Sequence, residues 1–383
     1  MHRSVPIDRS QARISTIDLT YENQLIKKEF FESLSALYDS NELVSSPVVE
    51  ELETQLATYC GTRYCCMTGG GTMSLQIAAQ VLNIKEGDEI VVPANTFLAS
   101  AVAMYHAGAR VILADVDPNT WNLSQETVWR VLTPRTKAIC LVHLYGNVAD
   151  PREFDRFGLP VIEDASHAFG GTLNGRRVGS LGTVAGFSAG PIKGFGGVGQ
   201  AGFITYNQDQ WHRYIRGYVN NGQTARHFGE YVGHNFRIDA LNALFLQKKL
   251  AVWEELMAKR KRLIAFYDQY FAATGIRRQA RRSDAESSLW VYVIRVDRKI
   301  RDSVLARLRD RGIDALVQYT FTIDKMPMWN TIAARRASVP MSDLLTKEII
   351  SLPVHPGLSV SDAAYVAQSV SAAIEESLGK LAA

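Results

Sequence analysis

The chain has 383 residues, 46% of them hydrophobic, enough to bury a large core in one big domain with a smaller one attached. The net charge of +3 is spread thinly, and its densest basic run, KRKR at 259–262, reads as a solvated helix face too short to argue for nucleic acid. Four cysteines without a CxxC pair argue against a disulfide framework or a zinc site, and no leader-like or membrane-length apolar run is present, so a cytoplasmic protein with no metal and no membrane partner is expected.

After a polar N-terminal arm, residues 25–38 have helical periodicity, 41–47 break it, and 48–59 start a second amphipathic helix. From there, short apolar runs alternate with helical patterns, which argues for an α/β sheet of mostly parallel strands. Seven strands are predicted, at 64–67, 89–93, 110–115, 138–144, 161–164, 184–188 and 203–206, with helices such as 73–82, 99–107 and 125–132 between the earlier ones. Little helix separates the last three strands, so part of the sheet should be antiparallel. Helical signal returns at 208–221 and runs through 238–272 as one long helix. Residues 275–288 are polar and rich in arginine. Beyond them, strands at 289–296 and 314–317 and helices at 300–311 and 361–378 suggest a compact α+β unit. The expected division is an N-terminal arm and large domain over 1–255 and a small C-terminal domain over 256–383.

Residues 187–202, FSAGPIKGFGGVGQAG, hold Lys193 between two strand-like runs and no other Lys, Arg, Asp or Glu. A lysine in a dry, weakly charged loop loses solvation for its ammonium, which lowers its pKa and makes it a candidate Schiff-base nucleophile. Taken alone, the stretch reads more readily as a surface loop with an ordinary lysine; the rest of the chain overturns that reading. GFGGVG at 194–199 satisfies a dinucleotide-binding pattern, but a β-like AGFITY follows it and no acid lies about twenty residues on, so that reading is rejected.

Four segments fall where strands end, the place at which open α/β sheets bind ligands. TGGGT at 68–72 opens a helix, and its free N–H groups with the helix dipole favour a phosphate. In VIEDASHAFGG, Asp164 ends an apolar strand and His167 follows. An acid there can hold a protonated ring nitrogen, although a helix N-cap is an equal reading. In PANTFLAS, Phe97 ends a strand and offers a face for a planar heterocycle, or is core. In GHNFR, Asn235 opens the long helix and Arg237 follows; a cap and a surface ion pair are the plain readings. Together, a phosphate cup, an aromatic plate, an acid for a ring nitrogen and a desolvated lysine are the four needs of pyridoxal 5′-phosphate, in the chain order of a fold-type I enzyme.

The chain closely resembles the DegT/StrS family of sugar aminotransferases from about residue 44 to 373. GGGTMSL is similar to the family's SGTxAL, VVPANTFLAS to P-x-x-TF-x-A, and VIEDASHAFGGTLNGRRVGSLG to EDAAxAxGAxYxGxxxGxxG. FSAGPIK is similar to SFxxxK, GHNFRIDALNALFLQKKL to GxNxRxxxxxAAxxxxQL, and IISLPVHPGL to LSLPxxPxL. The resemblance implies a fold-type I, pyridoxal phosphate-dependent homodimer with shared active sites. It implies that Lys193 carries the cofactor and shuttles a proton, and that Asp164 pairs with the pyridinium nitrogen. His167 would lie near the ring, Phe97 would stack on it, and Gly71, Thr72 and Ser188 would hold the phosphate. Asn235 would complete the partner subunit's site, and Tyr319, with Arg237, would lie toward the sugar. The implied reaction moves an amino group from glutamate or glutamine to a keto sugar of the nucleotide-linked kind. The alternatives are a sugar dehydratase, which the retained Lys193 disfavours, an aminotransferase for a cyclitol ketone, and a non-enzymatic regulator, which the complete Lys, Asp and Ser set disfavours. Two departures stand out. Gln200-Ala201-Gly202 replaces an acidic-Gly-Gly run, and the small AGPI before Lys193 leaves room beside it.

Overall fold

The computed structural model describes residues 14–43, 46–335 and 338–382, so residues 1–13 of the predicted arm, and Val44, lie outside the described residues. Two helices lead in, α1 (Thr20–Ser40) and α2 (Pro47–Cys60). Ser46 caps α2 by accepting from the Val48 N–H, Pro47 supplies the first turn, and Gly61 ends the helix in the left-handed region at φ 71°. Strands and helices then alternate: β1 (Tyr64–Thr68), α3 (Gly71–Gln80), β2 (Glu89–Pro93), α4 (Leu98–His106), β3 (Arg110–Ala114), α5 (Gln125–Trp129), β4 (Thr136–Val142) and β5 (Val161–Asp164). A short hairpin of β6 (Thr172–Leu173) and β7 (Arg176–Arg177) separates β5 from β8 (Val184–Ser188) and β9 (Gly202–Tyr206).

The seven predicted strands form one sheet, in the order β1-β9-β8-β5-β4-β2-β3. Strands β3, β2, β4, β5 and β8 run parallel, while β9 is antiparallel to both β8 and β1. The expected antiparallel part is therefore present and sits at one edge. Nearly every residue of these strands is buried, as a sheet covered by helices on both faces requires.

After α6 (Asp209–Tyr218), β10 (Gln223–Ala225) and β11 (Phe228–Gly229) form a small ribbon. The long helix expected at 238–272 is two helices, α7 (Ala240–Ala251) and α8 (Trp253–Ala273). The break is at Val252, at φ −107° and ψ 6°, and it turns Trp253 into a cluster with Phe169 and Phe195. In α8 the KRKR run is not a uniformly solvated face. Arg260 is buried, 5% exposed, and donates from Nε to the Val354 carbonyl, because helical spacing aligns it with Met257 and Ile264.

The C-terminal part builds a second, antiparallel sheet from β12 (Arg277–Arg278), β14 (Tyr292–Arg295) and β15 (Ile349–Leu352), while β13 (Ala285–Glu286) joins β6. Helices α8, α9 (Arg301–Asp310) and α12 (Val360–Ala382) contribute to a core around Tyr267, Phe271, Ile294, Ile350 and Val366. Helices α10 (Trp329–Ile332) and α11 (Pro340–Glu348) precede β15. The strand expected at 314–317 is absent. Its backbone divides between two partners, Asp314 N–H to Ile14 and Leu316 with Ser351, and neither pairing extends into a ladder. Among the described residues, no helix is long and apolar enough to cross a membrane.

Candidate active site

The carboxyl ends of β1, β5 and β8 open onto a cavity of about 310 Å³. One wall is the start of α3. Gly70 precedes the helix with no side-chain cap, so its first N–H groups face outward without intrahelical partners. A Cβ on Gly71 would lie 2.5 Å from Ser188 Cβ, so only glycine allows the helix to press against the end of β8. Gly202 meets the same demand, since its Cβ would come within 2.6 Å of the Gly70 carbonyl carbon. Gly71, Thr72 and Ser188 thus share one concave surface able to receive an anion.

The two carboxylates that end β5 face opposite ways, as strand alternation dictates. Asp164, 5% exposed, lines the cavity; it accepts from the Ser100 hydroxyl at 2.6 Å and from the Ser166 N–H at 3.2 Å. No helix begins after it, so it is not an N-cap. Glu163 is fully buried on the other side. It accepts from His143 Nε2 at 3.0 Å and from the N–H groups of Gly179, Leu181 and Gly182. His143 Nδ1 accepts from the Ala149 N–H at 3.1 Å, which leaves Nε2 to donate to Glu163.

Lys193 reaches the cavity from a loop that closes tightly on itself: a Cβ on Gly196 would lie 2.4 Å from the Gly190 carbonyl oxygen. The loop is held from behind by Lys249, which is buried, paired with Glu22 at 2.6 Å, and donates to the Gly196 carbonyl at 3.1 Å. Burial pushes the Lys193 amine down to about 8 from an ordinary 10.5, against the opposing pull of the Asp164 carboxylate. His167 also lines the cavity. Burial, helped by the Lys193 charge, holds it well below its usual range, and its Nδ1 accepts from the Tyr145 N–H at 3.3 Å. The neutral ring therefore carries its proton on Nε2.

Phe97 does not end a strand. β2 stops at Pro93, and Phe97 stands at the N-cap position of α4, 47% exposed, its ring on the cavity. This follows from Ala94–Thr96 turning away after the ladder ends, which sets the ring at the mouth rather than in the core. The Tyr319 ring lies 5.9 Å from it, with a hydroxyl that burial, Tyr145 and Asp164 push up.

Asn235 and Arg237 are not brought to this cavity. The cap of α7 is Asp239, whose carboxylate accepts from the Asn242 N–H at 2.7 Å. Residues 234–236 are instead bonded to 218–221, which leaves Asn235 exposed and accepting from Arg237 Nε at 3.2 Å. Arg237 lines a separate cavity of about 410 Å³ with Glu53 and Arg216. The same segment still touches the glycine loop through its backbone, Gly69 N–H to the Phe236 carbonyl at 2.7 Å.

Sequence reasoning missed two residues at the site. Ser100, bonded to Asp164, lies one helical turn after Thr96, a spacing that could have marked it. Trp290, whose indole lies under the Lys193 ammonium, is far away in sequence and carried no local signal.

The site suits pyridoxal phosphate: open helix N–H groups for the phosphate, a buried carboxylate for a ring nitrogen, an aromatic face, and an amine of lowered basicity, around one cavity. The sequence pattern of the DegT/DnrJ/EryC1/StrS aminotransferase family matches residues 24–371. The chain is 35% identical over 355 residues to a UDP-2-acetamido-2-deoxy-3-oxo-D-glucuronate aminotransferase of Pseudomonas aeruginosa, covering 91% of this chain and 97% of that protein. It is 30% identical to a pleiotropic regulatory protein of Geobacillus stearothermophilus, covering 93% and 97%. Its fold superposes with a TM-score of 0.88 on the crystal structure of S. venezuelae DesV in complex with a ketimine intermediate, at 30% identity over 94% of this chain and 97% of that one. The chain belongs to the DegT/DnrJ/EryC1/StrS aminotransferase family and is a pyridoxal phosphate-dependent aminotransferase.

Proposed function

We propose that this enzyme moves an amino group from glutamate or glutamine onto the keto carbon of a nucleotide-linked sugar. The observation that carries the reading is the meeting of a low-basicity Lys193 amine, the Asp164 carboxylate and the uncapped start of α3 around one cavity. When bound, pyridoxal phosphate supplies an electron sink for charge developing at the donor's Cα. Lys193 would carry it and, once freed, take the proton from that Cα; an amine with a pKa near 8 is well matched to both giving and taking at neutral pH. Asp164, aimed by Ser100 and Ser166, would hold the ring nitrogen's proton in place. His167 would donate from Nε2 toward the ring's oxygen, Phe97 would cover one ring face, and Gly71, Thr72 and Ser188 would seat the phosphate. Tyr319, whose ring stands beside Phe97 at the cavity, would lie toward the sugar. The nucleotide-sugar name of the Pseudomonas relative supports the choice of acceptor.

In this reading the active unit is a homodimer, with Asn235 of each protomer completing the other's site. Support comes from exposed apolar side chains near both segments: Phe228 (59%) and Val232 (92%) beside Asn235, and Ile192 (53%) and Val198 (47%) on the lysine loop. The cofactor unit spans residues 1–255 and the smaller unit 256–383. Four free, buried cysteines are in keeping with a cytoplasmic setting.

Glutamate added to the purified holoenzyme should bleach its visible band and raise a pyridoxamine band, and keto-sugar nucleotides should reverse the change. A spectrum indifferent to amino donors would leave only binding or regulation. For the shared site, Lys193→Ala and Asn235→Ala enzymes, each weak alone, should on subunit exchange recover roughly a quarter of wild-type activity, because half the dimers then hold one intact site. No recovery despite confirmed exchange would return Asn235 to its own chain.

A further inference from the structure

The residues before Lys193, Ala189, Gly190, Pro191 and Ile192, are too small or too exposed to hold its side chain. The space beside the amine is taken by Trp290, at the start of the segment that becomes β14. Its indole is 7% exposed, and the Lys193 Nζ lies 4.7 Å from the ring centre. The indole Nε1–H donates to the carbonyl of Ile192, the residue just before the lysine, at 3.0 Å. The His167 ring stacks on the same indole, with centres 4.7 Å apart and planes 26° apart. One side chain therefore touches the lysine's ammonium, the backbone carbonyl of the residue before it and the histidine.

The backbone closes this arrangement into a ring. Trp290 N–H donates to the Tyr145 carbonyl at 2.9 Å, and Tyr145 N–H in turn donates to His167 Nδ1 at 3.3 Å. Tyr145 has a φ of 62°, and a Cβ on the following Gly146 would lie 2.7 Å from the His167 carbonyl oxygen and 2.8 Å from Leu289 Cα. Nothing larger than glycine fits between the two elements, so His167 and the Trp290 strand cannot shift independently.

We infer that Trp290 is the positioning residue that holds Lys193 and His167 in register and sets how readily Lys193 gives up its proton. The inference rests on Lys193 being the cofactor lysine. A π face beside an ammonium stabilises its charged form, so the indole works against burial and keeps the amine from becoming too weak a base. Other charged groups facing the amine are few: the Asp164 carboxylate favours its protonation, and the neighbouring His167 is held neutral.

The test is competitive acetylation of Lys193 in the full-length, cofactor-free enzyme across pH 6–10, read by peptide mass spectrometry. Trp290→Leu removes both the π face and the N–H. Lys193 should then acetylate about two- to fivefold faster at pH 7, the ratio corresponding to loss of an ammonium–indole contact. Trp290→Phe keeps a π face, so the pH midpoint should stay where it is in the wild type. In the holoenzyme both variants should lower kcat several-fold with KM for the keto sugar within about twofold, because neither contact reaches the substrate. Identical acetylation profiles for wild type and Trp290→Leu would overturn the proposal. Should Trp290→Leu fail to fold, an unchanged kcat in Trp290→Phe would overturn it. Failure of the cofactor assignment reads separately: borohydride reduction of the wild-type holoenzyme would then put the pyridoxyl group on another lysine.

Discussion

Replacing Gly71 with alanine isolates the contact on which the phosphate cradle depends. The added methyl would stand 2.5 Å from Ser188 Cβ, 2.9 Å from Ser188 Cα and 3.0 Å from Ser188 Oγ. Two of these atoms belong to, or are fixed directly by, the end of β8, so no side-chain rotation relieves the clash. The start of α3 must move away from the strand, and overpacking of this kind typically costs about 1–3 kcal/mol. The same movement spreads the N–H groups from Ser188, so cofactor affinity should drop by at least about tenfold, equivalent to about 1.4 kcal/mol. Gly70 provides the control. It adjoins Gly71, its backbone is extended at φ 170°, and a Cβ there meets nothing within 4 Å. Gly70→Ala should therefore leave stability unchanged or raise it by up to about 1 kcal/mol through a less flexible unfolded chain. Urea unfolding of the cofactor-free proteins, followed by tryptophan fluorescence, measures the first effect, and fluorescence titration with pyridoxal phosphate measures the second. A Gly71→Ala protein as stable and as avid as wild type would refute the reasoning. Equal destabilisation by Gly70→Ala would show that glycine flexibility, not the Ser188 contact, matters.

Lys193 loses its proton near pH 8 in the fold and near 10.5 in an unfolded chain. Pyridoxal phosphate capture by the cofactor-free enzyme should therefore quicken about tenfold from pH 7 to pH 9 and then level off. A rate still climbing past pH 10 would mean an ordinary lysine. Because the folded pKa is the lower one, the cofactor-free fold should gain stability as pH rises from about 8 toward 10.5, where the unfolded chain still binds the proton. The neighbouring carboxylates should separate cleanly. Glu163→Gln places an amide against three backbone N–H groups and His143, costing about 2–3 kcal/mol of stability while KM for the keto sugar stays near wild type. Asp164→Asn should keep its stability and its cofactor but lose on the order of a hundredfold in kcat. Comparing unfolding midpoints with steady-state rates decides it, and a reversed pattern would exchange the roles assigned to the two residues.

Much of this was legible from local pattern. Each of the seven sheet strands was an apolar run bounded by polar or glycine residues, because strands buried on both faces need continuous hydrophobic side chains. The glycines at 69–71 and the lone Lys193 were visible because backbone crowding and an uncharged loop both leave marks on composition. Tertiary structure decided the rest. That β9 lies between β1 and β8 depends on pairing across more than a hundred residues, for which neither strand carries a code. That Asp164 faces the cavity and Glu163 the core is set by which sheet face the active site occupies, and the strand's alternation is silent on that. The helix expected to open at Asn235 waits for Asp239, because the preceding backbone finds its hydrogen bonds on Tyr218, Val219 and Asn221. Trp290 was an ordinary apolar residue of a predicted strand until folding laid it against Ile192, Lys193 and His167. Periodicity reports whether a side chain will be buried; which side chain it will be buried against is settled only when distant elements close on each other.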